Sequence, residues 1–137
     1  YAPQADFELF SENMQANPQM AQVSPLKGLG RLQLYSGEVS LARNVTTLPT
    51  PGHASVLVAS SGEMAIISGD LAHHPAQVDH PEWSPAWEHD PKMSAASRKR
   101  IIERLESERG IAAFCHFPGE GFGRIVRSGN RRVFQAL

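Results

Sequence analysis

Thr50-Pro51-Gly52-His53-Ala54-Ser55-Val56-Leu57-Val58 is the stretch that says most about the fold of this chain. Proline followed by glycine is typical of a tight bend, and the run after His53 is mostly apolar. The pattern predicts a turn that opens directly into a strand. Because the turn fixes the direction of the chain just before the strand, it also fixes the direction of the His53 imidazole.

The predicted strand has a partner immediately downstream. Residues 54–59 and 64–67 are two short, mostly apolar runs separated by a break at residues 60–63, which predicts a hairpin of buried strands. Alternation on either side of Ser36-Gly37 predicts two strands, around 32–34 and 39–41, joined at a turn. Further strands are predicted at 45–48 and 111–117, and a closing hairpin at 123–127 and 132–135 with its turn at 128–130.

Two helices are predicted. The first spans residues 6–15, and a covering loop follows it because Pro18 and Pro25 interrupt the pattern. The second begins at Asp90-Pro91, a helix cap followed by proline, and stops at Gly110. Its charged run at 98–100 is interpreted as a solvated face, and residues 70–89, with three prolines, as irregular structure. Strands interleaved with helices predict an α/β fold, a mixed sheet with helices on one face.

Composition limits the classes of function. The 137 residues are 41% hydrophobic with a formal net charge of -1, which fits a single unit, residues 1–137. We expect no nucleic-acid partner, because no basic patch stands out, and no membrane partner, because no apolar run approaches about 20 residues. Cys115 is the single cysteine, which rules out an intrachain disulfide and favours a soluble, cytoplasmic protein. The start at Tyr1 is interpreted as missing upstream sequence.

Three candidate metal ligands share one kind of position. His53, Asp70 and His116 each lie where a predicted strand meets a turn containing glycine or proline. Strand ends at one edge of a sheet can converge, so these side chains are expected at a common rim. Neutral imidazoles and a carboxylate are ligands that suit zinc or a similar divalent ion.

The order of these motifs carries a resemblance to a known family. A Thr-Pro-Gly-His turn, a Gly-Asp after an apolar strand and a late His-Phe-Pro resemble the last three metal motifs of metallo-β-lactamase-fold hydrolases. The resemblance covers about residues 5–137 and implies the C-terminal half of a four-layer αββα sandwich. Residues 69–77 and 80–85 look like the branch that contains lactonase-like and organophosphate-hydrolase-like members.

The resemblance implies a function and a ligand set. His53 and His116 would each hold one ion of a divalent metal pair, with zinc favoured, and Asp70 would bridge both ions as the catalytic residue. A water or hydroxide bound to the metals would then attack an ester-like bond, a lactone or a carboxylic or phosphoric ester, in a small-molecule substrate.

One departure from the family leaves an alternative open. The motif His-x-His-x-Asp-His, which supplies most of the remaining ligands, does not occur in these 137 residues. A catalytic zinc keeps three protein ligands, so both ions would be incompletely ligated by this chain, and we expect the motif in an absent N-terminal half. The alternative is an inactive fragment that forms a homo-oligomer through the exposed apolar face of its sheet.

Other residues receive lesser roles. His73 and His74 are expected to orient Asp70 or to line the substrate pocket, and Phe117 and Phe122 to form pocket walls. Trp83 and Trp87 are interpreted as anchors of the irregular segment, and the spacing of His80 and His89 fits no zinc signature. A third hypothesis, a thiol hydrolase that uses Cys115 and His116, conflicts with the predicted strand, in which adjacent side chains point to opposite faces.

Overall fold

A computed structural model describes residues 1–12 and 17–137. The strands are β1 (Ala2–Pro3), β2 (Leu34–Tyr35), β3 (Ser40–Ala42), β4 (Val45–Thr50), β5 (His53–Ser60), β6 (Glu63–Ile67), β7 (Ile111–Ala113), β8 (Phe122–Ser128) and β9 (Arg131–Ala136). The helices are α1 (Gln4–Glu12), α2 (Met20–Gly28), α3 (Ala76–Asp79) and α4 (Pro91–Ser107), with a 3₁₀ turn at Gly69–Leu71. No helix among the described residues combines the length and the apolar character that crossing a bilayer requires.

A seven-stranded mixed sheet forms the body of the chain. Its strands run in the order β3-β4-β5-β6-β7-β8-β9, and every neighbouring pair is antiparallel except β6 and β7, which are parallel. The parallel pair is joined by a crossover that contains the 3₁₀ turn, α3 and α4. The predicted α/β class, a mixed sheet with flanking helices, is confirmed.

The hairpins with tight local turns form as predicted. β5 and β6 pair from Val56 opposite Ile67 to Ser60 opposite Glu63, and β8 pairs with β9 across the predicted turn. Between β5 and β6 the chain turns at Ser61 and Gly62, whose φ angles are 53° and 82°. Glycine adopts this left-handed conformation without the steric penalty of a side chain, which explains why the break falls there.

The hairpin predicted around Ser36-Gly37 is wrong. β2 pairs in parallel with β1, and β3 pairs with β4. The side chain of Thr47 in β4 explains the change, because its hydroxyl accepts a hydrogen bond from Val39 N at 2.8 Å and donates one to Gly37 O at 3.1 Å. The segment after the turn is therefore held by β4 and cannot fold back on β2.

Two other local predictions need correction. The loop predicted after the first helix contains α2, which has Pro25 inside it; the proline removes one backbone donor, but its carbonyl still accepts from Leu29 N at 3.1 Å. The predicted strand 111–117 ends at Ala113, because Phe114 N bonds to Gly121 O and Phe117 N bonds to Phe114 O in a turn. Residues 13–16, at the end of the first predicted helix, lie outside the described residues.

Helix α4 covers one face of the sheet. Asp90 caps it by accepting a hydrogen bond from Met93 N at 2.9 Å, and Pro91 is its first residue, as predicted. Its inward side chains pack with residues of the sheet and of the crossover in one core, which contains Leu48, Ile66, Leu71, Val78, Ile101, Ile102, Leu105, Ala112, Phe114, Phe117 and Ile125. Arg98 is fully buried on this side, so the expectation that residues 98–100 form a solvated face is wrong at its first position.

The other face of the sheet is open and carries an apolar patch. Ile67, Ala113 and Phe122 lie side by side in the registers of β6, β7 and β8, and Val133 lies on the same face of β9. Ile67 and Phe122 are each 48% exposed, and Val133 is 42% exposed. Helices of the described chain therefore leave this face uncovered, as expected for one half of a sandwich.

Candidate metal centre

Three potential metal ligands meet at the carboxyl ends of β6 and β7. Asp70 lies in the 3₁₀ turn after β6, His116 lies in the turn after β7, and His73 follows Asp70 in the crossover. Because β6 and β7 are parallel, both turns lie at the same edge of the sheet, the usual place for a ligand site in an α/β fold. One ligand atom from each residue lies within 4.8 Å of the other two.

Asp70 is the acidic member of the group. His116 Nε2 lies 2.9 Å from Asp70 Oδ1. Partial burial raises the pKa of Asp70, but hydrogen bonds from His116 and Cys115 and the charge of His116 outweigh burial and hold that pKa below its ordinary value. Asp70 is therefore ionised at neutral pH, the state in which a carboxylate ligates a metal.

His73 provides the test of whether this group fits a cation. Its ring stacks on that of His116 with the centroids 4.7 Å apart, and its Nδ1 is buried without a hydrogen-bond partner. Burial first, and the charge of His116 second, lower the pKa of His73, so the imidazole is neutral and keeps a free lone pair. A buried nitrogen without a partner is costly, and in the tautomer that leaves Nδ1 unprotonated a cation bound at that nitrogen would remove the cost. Two imidazoles and a carboxylate fit a divalent ion such as zinc.

His53 lies at the same rim but outside this group. It lines a pocket of about 490 Å³ together with Asp70 and His73. Its Nε2 lies 2.9 Å from Glu88 Oε1 and 3.3 Å from Ser94 Oγ. The three predicted ligands thus lie at one edge of the sheet. His53, however, is hydrogen-bonded to Glu88, and the residue that joins Asp70 and His116 in the ligand group is His73.

The contacts of His53 do not form a serine-hydrolase triad. In such a triad one ring nitrogen accepts the serine proton while the other donates to the carboxylate. Here Ser94 and Glu88 both approach Nε2. One nitrogen cannot play both roles, so Ser94 is not an activated nucleophile in this arrangement.

Cys115 lies against the same carboxylate. Its Sγ is 3.4 Å from Asp70 Oδ1 and 3.2 Å from Gly69 O. The expectation that Cys115 and His116 point to opposite faces is wrong, because β7 ends before them and both reach Asp70. Burial, and then the hydrogen bond and charge of Asp70, raise the pKa of the Cys115 thiol. A protonated thiol is a poor nucleophile, which argues against the thiol-hydrolase hypothesis.

Three of the residues expected near the substrate lie outside the pocket that Asp70 and His73 line. His74 Nδ1 accepts a hydrogen bond from Ala76 N at 3.1 Å, at the start of α3. Phe117 is 5% exposed and stacks on Phe114 with ring centroids 4.4 Å apart. It is therefore a core residue and not the pocket wall that was predicted. The Phe122 side chain lies on the open face of the sheet. The physical reason is the turn at residues 114–117, which directs Phe117 inward.

The two tryptophans are more exposed than anchors should be. Trp87 is 77% exposed, and its ring meets that of His73 edge to face at 5.9 Å. Trp83 is 53% exposed and stacks on His80 at 4.3 Å. Polar residues hold this segment instead, among them Gln77, whose side chain accepts a hydrogen bond from His73 N and donates one to Trp83 O. The sequence pattern does not single out Gln77.

Glu88 makes the stability of the fold depend on pH. Burial raises its pKa, but hydrogen bonds from Ser84, His53 and Ser94 and the charge of Arg98 outweigh burial and lower the pKa. A carboxyl whose folded pKa lies below its ordinary value, 4.5 for Glu88, stabilises the fold above that pH. This contribution is lost as the pH falls through the folded pKa.

We therefore expect Glu88→Gln to flatten the acid side of the stability profile. Wild-type stability should fall more steeply than that of the variant between about pH 6 and about pH 3, since only the wild type must protonate this carboxyl. Urea unfolding at a series of pH values measures the difference. Glu120→Gln, in an exposed turn, is the matched control and should follow the wild type. Superimposable profiles for Glu88→Gln and wild type would contradict the assignment.

Comparison with known proteins adds the fold family. No family model matches the sequence, and no curated protein matches it. Among solved structures, AidC, described as a dizinc quorum-quenching lactonase, is similar over 95% of this chain and 45% of its own, with a TM-score of 0.73 and 19% identity. AbOPH, described as a hydrolase in the beta lactamase superfamily, is similar over 90% and 46%, with a TM-score of 0.76 and 22% identity.

A third structure extends the comparison. A probable metal-dependent hydrolase from Staphylococcus aureus is similar over 79% of this chain and 40% of its own, with a TM-score of 0.63 and 18% identity. The chain thus spans less than half the length of each of these three proteins. The matched part is their C-terminal half. The chain has the fold of the C-terminal half of a metallo-β-lactamase-fold protein.

Proposed function

We propose that this chain supplies part of the metal site of a hydrolase that cleaves an ester-like bond in a small molecule. The observation that carries the proposal is the Asp70–His73–His116 group, with its ligand atoms within 4.8 Å of one another at the rim of the sheet. The fold is that of proteins described as a lactonase and as hydrolases, which supports this reaction class. A lactone and a carboxylic or phosphoric ester remain the proposed substrates, in a soluble, cytoplasmic setting.

The charged and the neutral members of this group would have different roles. Asp70 is held ionised and supplies the negative charge, while His73 contributes a neutral ring with a free nitrogen. His116 Nε2 lies 2.9 Å from Asp70 Oδ1, so these two atoms would give up their mutual hydrogen bond to hold the ion together. A divalent ion bound there would polarise a substrate oxygen and lower the pKa of water. The open pocket lined by Asp70, His73 and Trp87 gives a small molecule access.

A second ion would need more than this group. His53 is the candidate ligand for this ion, but its Nε2 is hydrogen-bonded to Glu88. Ligation through that nitrogen requires Glu88 to give up the hydrogen bond or to ligate the same ion. The His-x-His-x-Asp-His motif is absent from these residues. We propose one ion held chiefly by Asp70, His73 and His116, and a second whose remaining ligands lie outside this chain.

Metal analysis combined with a hydrolysis assay tests the proposal. The chain is dialysed with zinc, freed of excess ion and assayed for bound zinc and for turnover of a nitrophenyl ester and a simple lactone. We expect about one zinc per chain and zinc-dependent ester cleavage. Absence of bound zinc would contradict the proposed metal site itself. Stoichiometric zinc without any turnover would contradict hydrolase activity in this chain but would still support the metal site.

The open sheet face favours a second candidate function, self-association. Ile67, Phe122 and Val133 are exposed on one side of the sheet. Exposed apolar patches of this kind mark interaction surfaces, and a second copy of the chain could cover one. Under this candidate the chain is an inactive module that forms homo-oligomers.

Ile67→Lys is expected to prevent that association. A lysine placed in a twofold interface loses apolar burial in both copies, at roughly 1.5–3 kcal/mol per side chain, so the dimer should weaken by about a hundredfold or more. Sedimentation equilibrium over a range of concentrations measures this. Leu29→Lys, at an exposed apolar position after α2, is the control and should leave association intact. A wild-type chain that is monomeric at every concentration would end the self-association hypothesis.

A further inference from the structure

Arg98 is a buried cation with an unusual set of partners. Its side chain on α4 is fully buried. Its Nε donates to Leu71 O at 2.7 Å, and its Nη1 donates to Pro81 O at 2.7 Å and to Trp83 O at 2.8 Å. Arginine stays charged in proteins, so these carbonyl groups solvate a permanent positive charge. One guanidinium thus holds the crossover segment at three points.

The first arm of this network reaches the candidate metal centre through the backbone. Leu71 follows Asp70 in the 3₁₀ turn, so its bond to Arg98 fixes the turn that carries the carboxylate. Gln77 Nε2 donates to Trp83 O at 2.7 Å, the same carbonyl that Arg98 uses, and Gln77 Oε1 accepts from His73 N at 2.6 Å. The backbone of both Asp70 and His73 is therefore tied to the guanidinium.

The second arm reaches the opposite side of the rim through one carboxylate. Arg98 Nη2 lies 3.3 Å from Glu88 Oε2, and the other oxygen of Glu88 lies 2.9 Å from His53 Nε2. The side chain of Glu88 is itself only 5% exposed. The position of the His53 ring thus depends on a carboxylate that Arg98 holds.

We propose that Arg98 is a positioning residue for the candidate metal centre: its Nε and Nη1 hold the turn of Asp70 and His73, and its Nη2 orients His53 through Glu88. Burying a charge carries a desolvation cost that an apolar residue on α4 would not incur, so the network is an unfavourable way to obtain stability alone. What the planar five-donor group supplies is a fixed geometry between two separate parts of the rim. That these contacts position metal ligands rests on the proposed function, but the contacts of Arg98 themselves do not depend on a bound ion.

Two variants separate positioning from folding. Arg98→Lys keeps the charge but loses the fork that reaches the carbonyl groups and Glu88 together. Glu88→Gln has nearly the same volume and leaves the carbonyl contacts of Arg98 in place, while the ionic link towards His53 is lost. Lys99→Met, at the next and exposed position of α4, is the matched control.

The readouts are zinc affinity and the ring nitrogen signals of each histidine in metal-free protein, measured by long-range nitrogen-proton NMR beside the melting temperature. For Arg98→Lys we expect zinc to bind about 10- to 100-fold more weakly, the range found when residues that support metal ligands are changed. The ring signals of His53 and His73 should both move. For Glu88→Gln we expect the His53 signals to move most, because Glu88 contacts that ring directly, while those of His116 stay. Lys99→Met should match the wild type in every readout.

A folded Arg98→Lys variant with wild-type zinc affinity and histidine signals would overturn the inference. Should Arg98→Lys fail to fold, unchanged His53 signals in Glu88→Gln would overturn it on their own. A wild-type chain that binds no zinc would instead contradict the proposed function, and the metal-free NMR signals would still decide whether Arg98 and Glu88 position the histidines.

Discussion

Asp70→Asn is expected to weaken zinc binding by at least about 100-fold, more than the loss of an outer supporting residue causes. Asparagine keeps the size of the side chain but lacks the negative charge, and Asp70 is the acidic member of the three-residue group. The hydrogen bonds from His116 and Cys115 that lower the pKa of Asp70 would also lose their charged acceptor. The variant should therefore lose affinity while the fold stays intact, because this side chain is 64% exposed.

Isothermal titration with zinc, with a competing chelator for the wild type, measures the change. Asp79→Asn is the matched control: this carboxylate accepts from the Arg131 side chain and the Arg132 backbone N–H near β9 and lies outside the ligand group. Asp79→Asn should leave zinc affinity unchanged. Equal zinc affinity in Asp70→Asn and wild type would show that the ion, if bound, is held elsewhere.

Local turn chemistry explains which parts of the fold could be predicted. The β5-β6 and β8-β9 hairpins, and the start of α4 at Asp90-Pro91, are each encoded within a few adjacent residues. The pairing of β2 with β1 depends instead on residues far apart in the chain, and the attachment of the segment after Gly37 depends on one threonine hydroxyl in β4. Periodicity carries no information about such partners.

The candidate site divides in the same way. Asp70 and His116 could be identified because each lies where a predicted strand meets a turn with glycine or proline, and because the order of the motifs resembles a known metal-binding set. The parallel β6-β7 pair brings the two side chains together. Gln77, in the short helix α3, and Glu88 lie in a proline-containing segment whose path the sequence pattern does not define. Arg98 precedes two more basic residues and so resembles part of an exposed charged face, although tertiary packing buries it completely.

Phe117 and Phe122, both predicted to form pocket walls, are expected to differ strongly in how much their truncation lowers the free energy of unfolding. Phe117→Ala should cost about 3–5 kcal/mol of unfolding free energy, because it removes a buried ring that stacks on Phe114 and meets Phe134 edge to face at 4.8 Å. Phe122→Ala, at a position 48% exposed on the open face, should change stability by only about 0.5 kcal/mol.

Urea unfolding of both variants measures the difference, and Phe117→Leu, expected to cost roughly 1–1.5 kcal/mol, keeps the comparison available if the alanine variant does not fold. A pocket wall would behave in the reverse manner: its truncation would change the binding of a substrate or product and leave the unfolding midpoint nearly unchanged. If Phe117→Leu and Phe122→Ala are equally stable, the turn at residues 114–117 does not place Phe117 in the core. The geometry that brings His116 to Asp70 would then also be wrong, because the same turn positions both side chains.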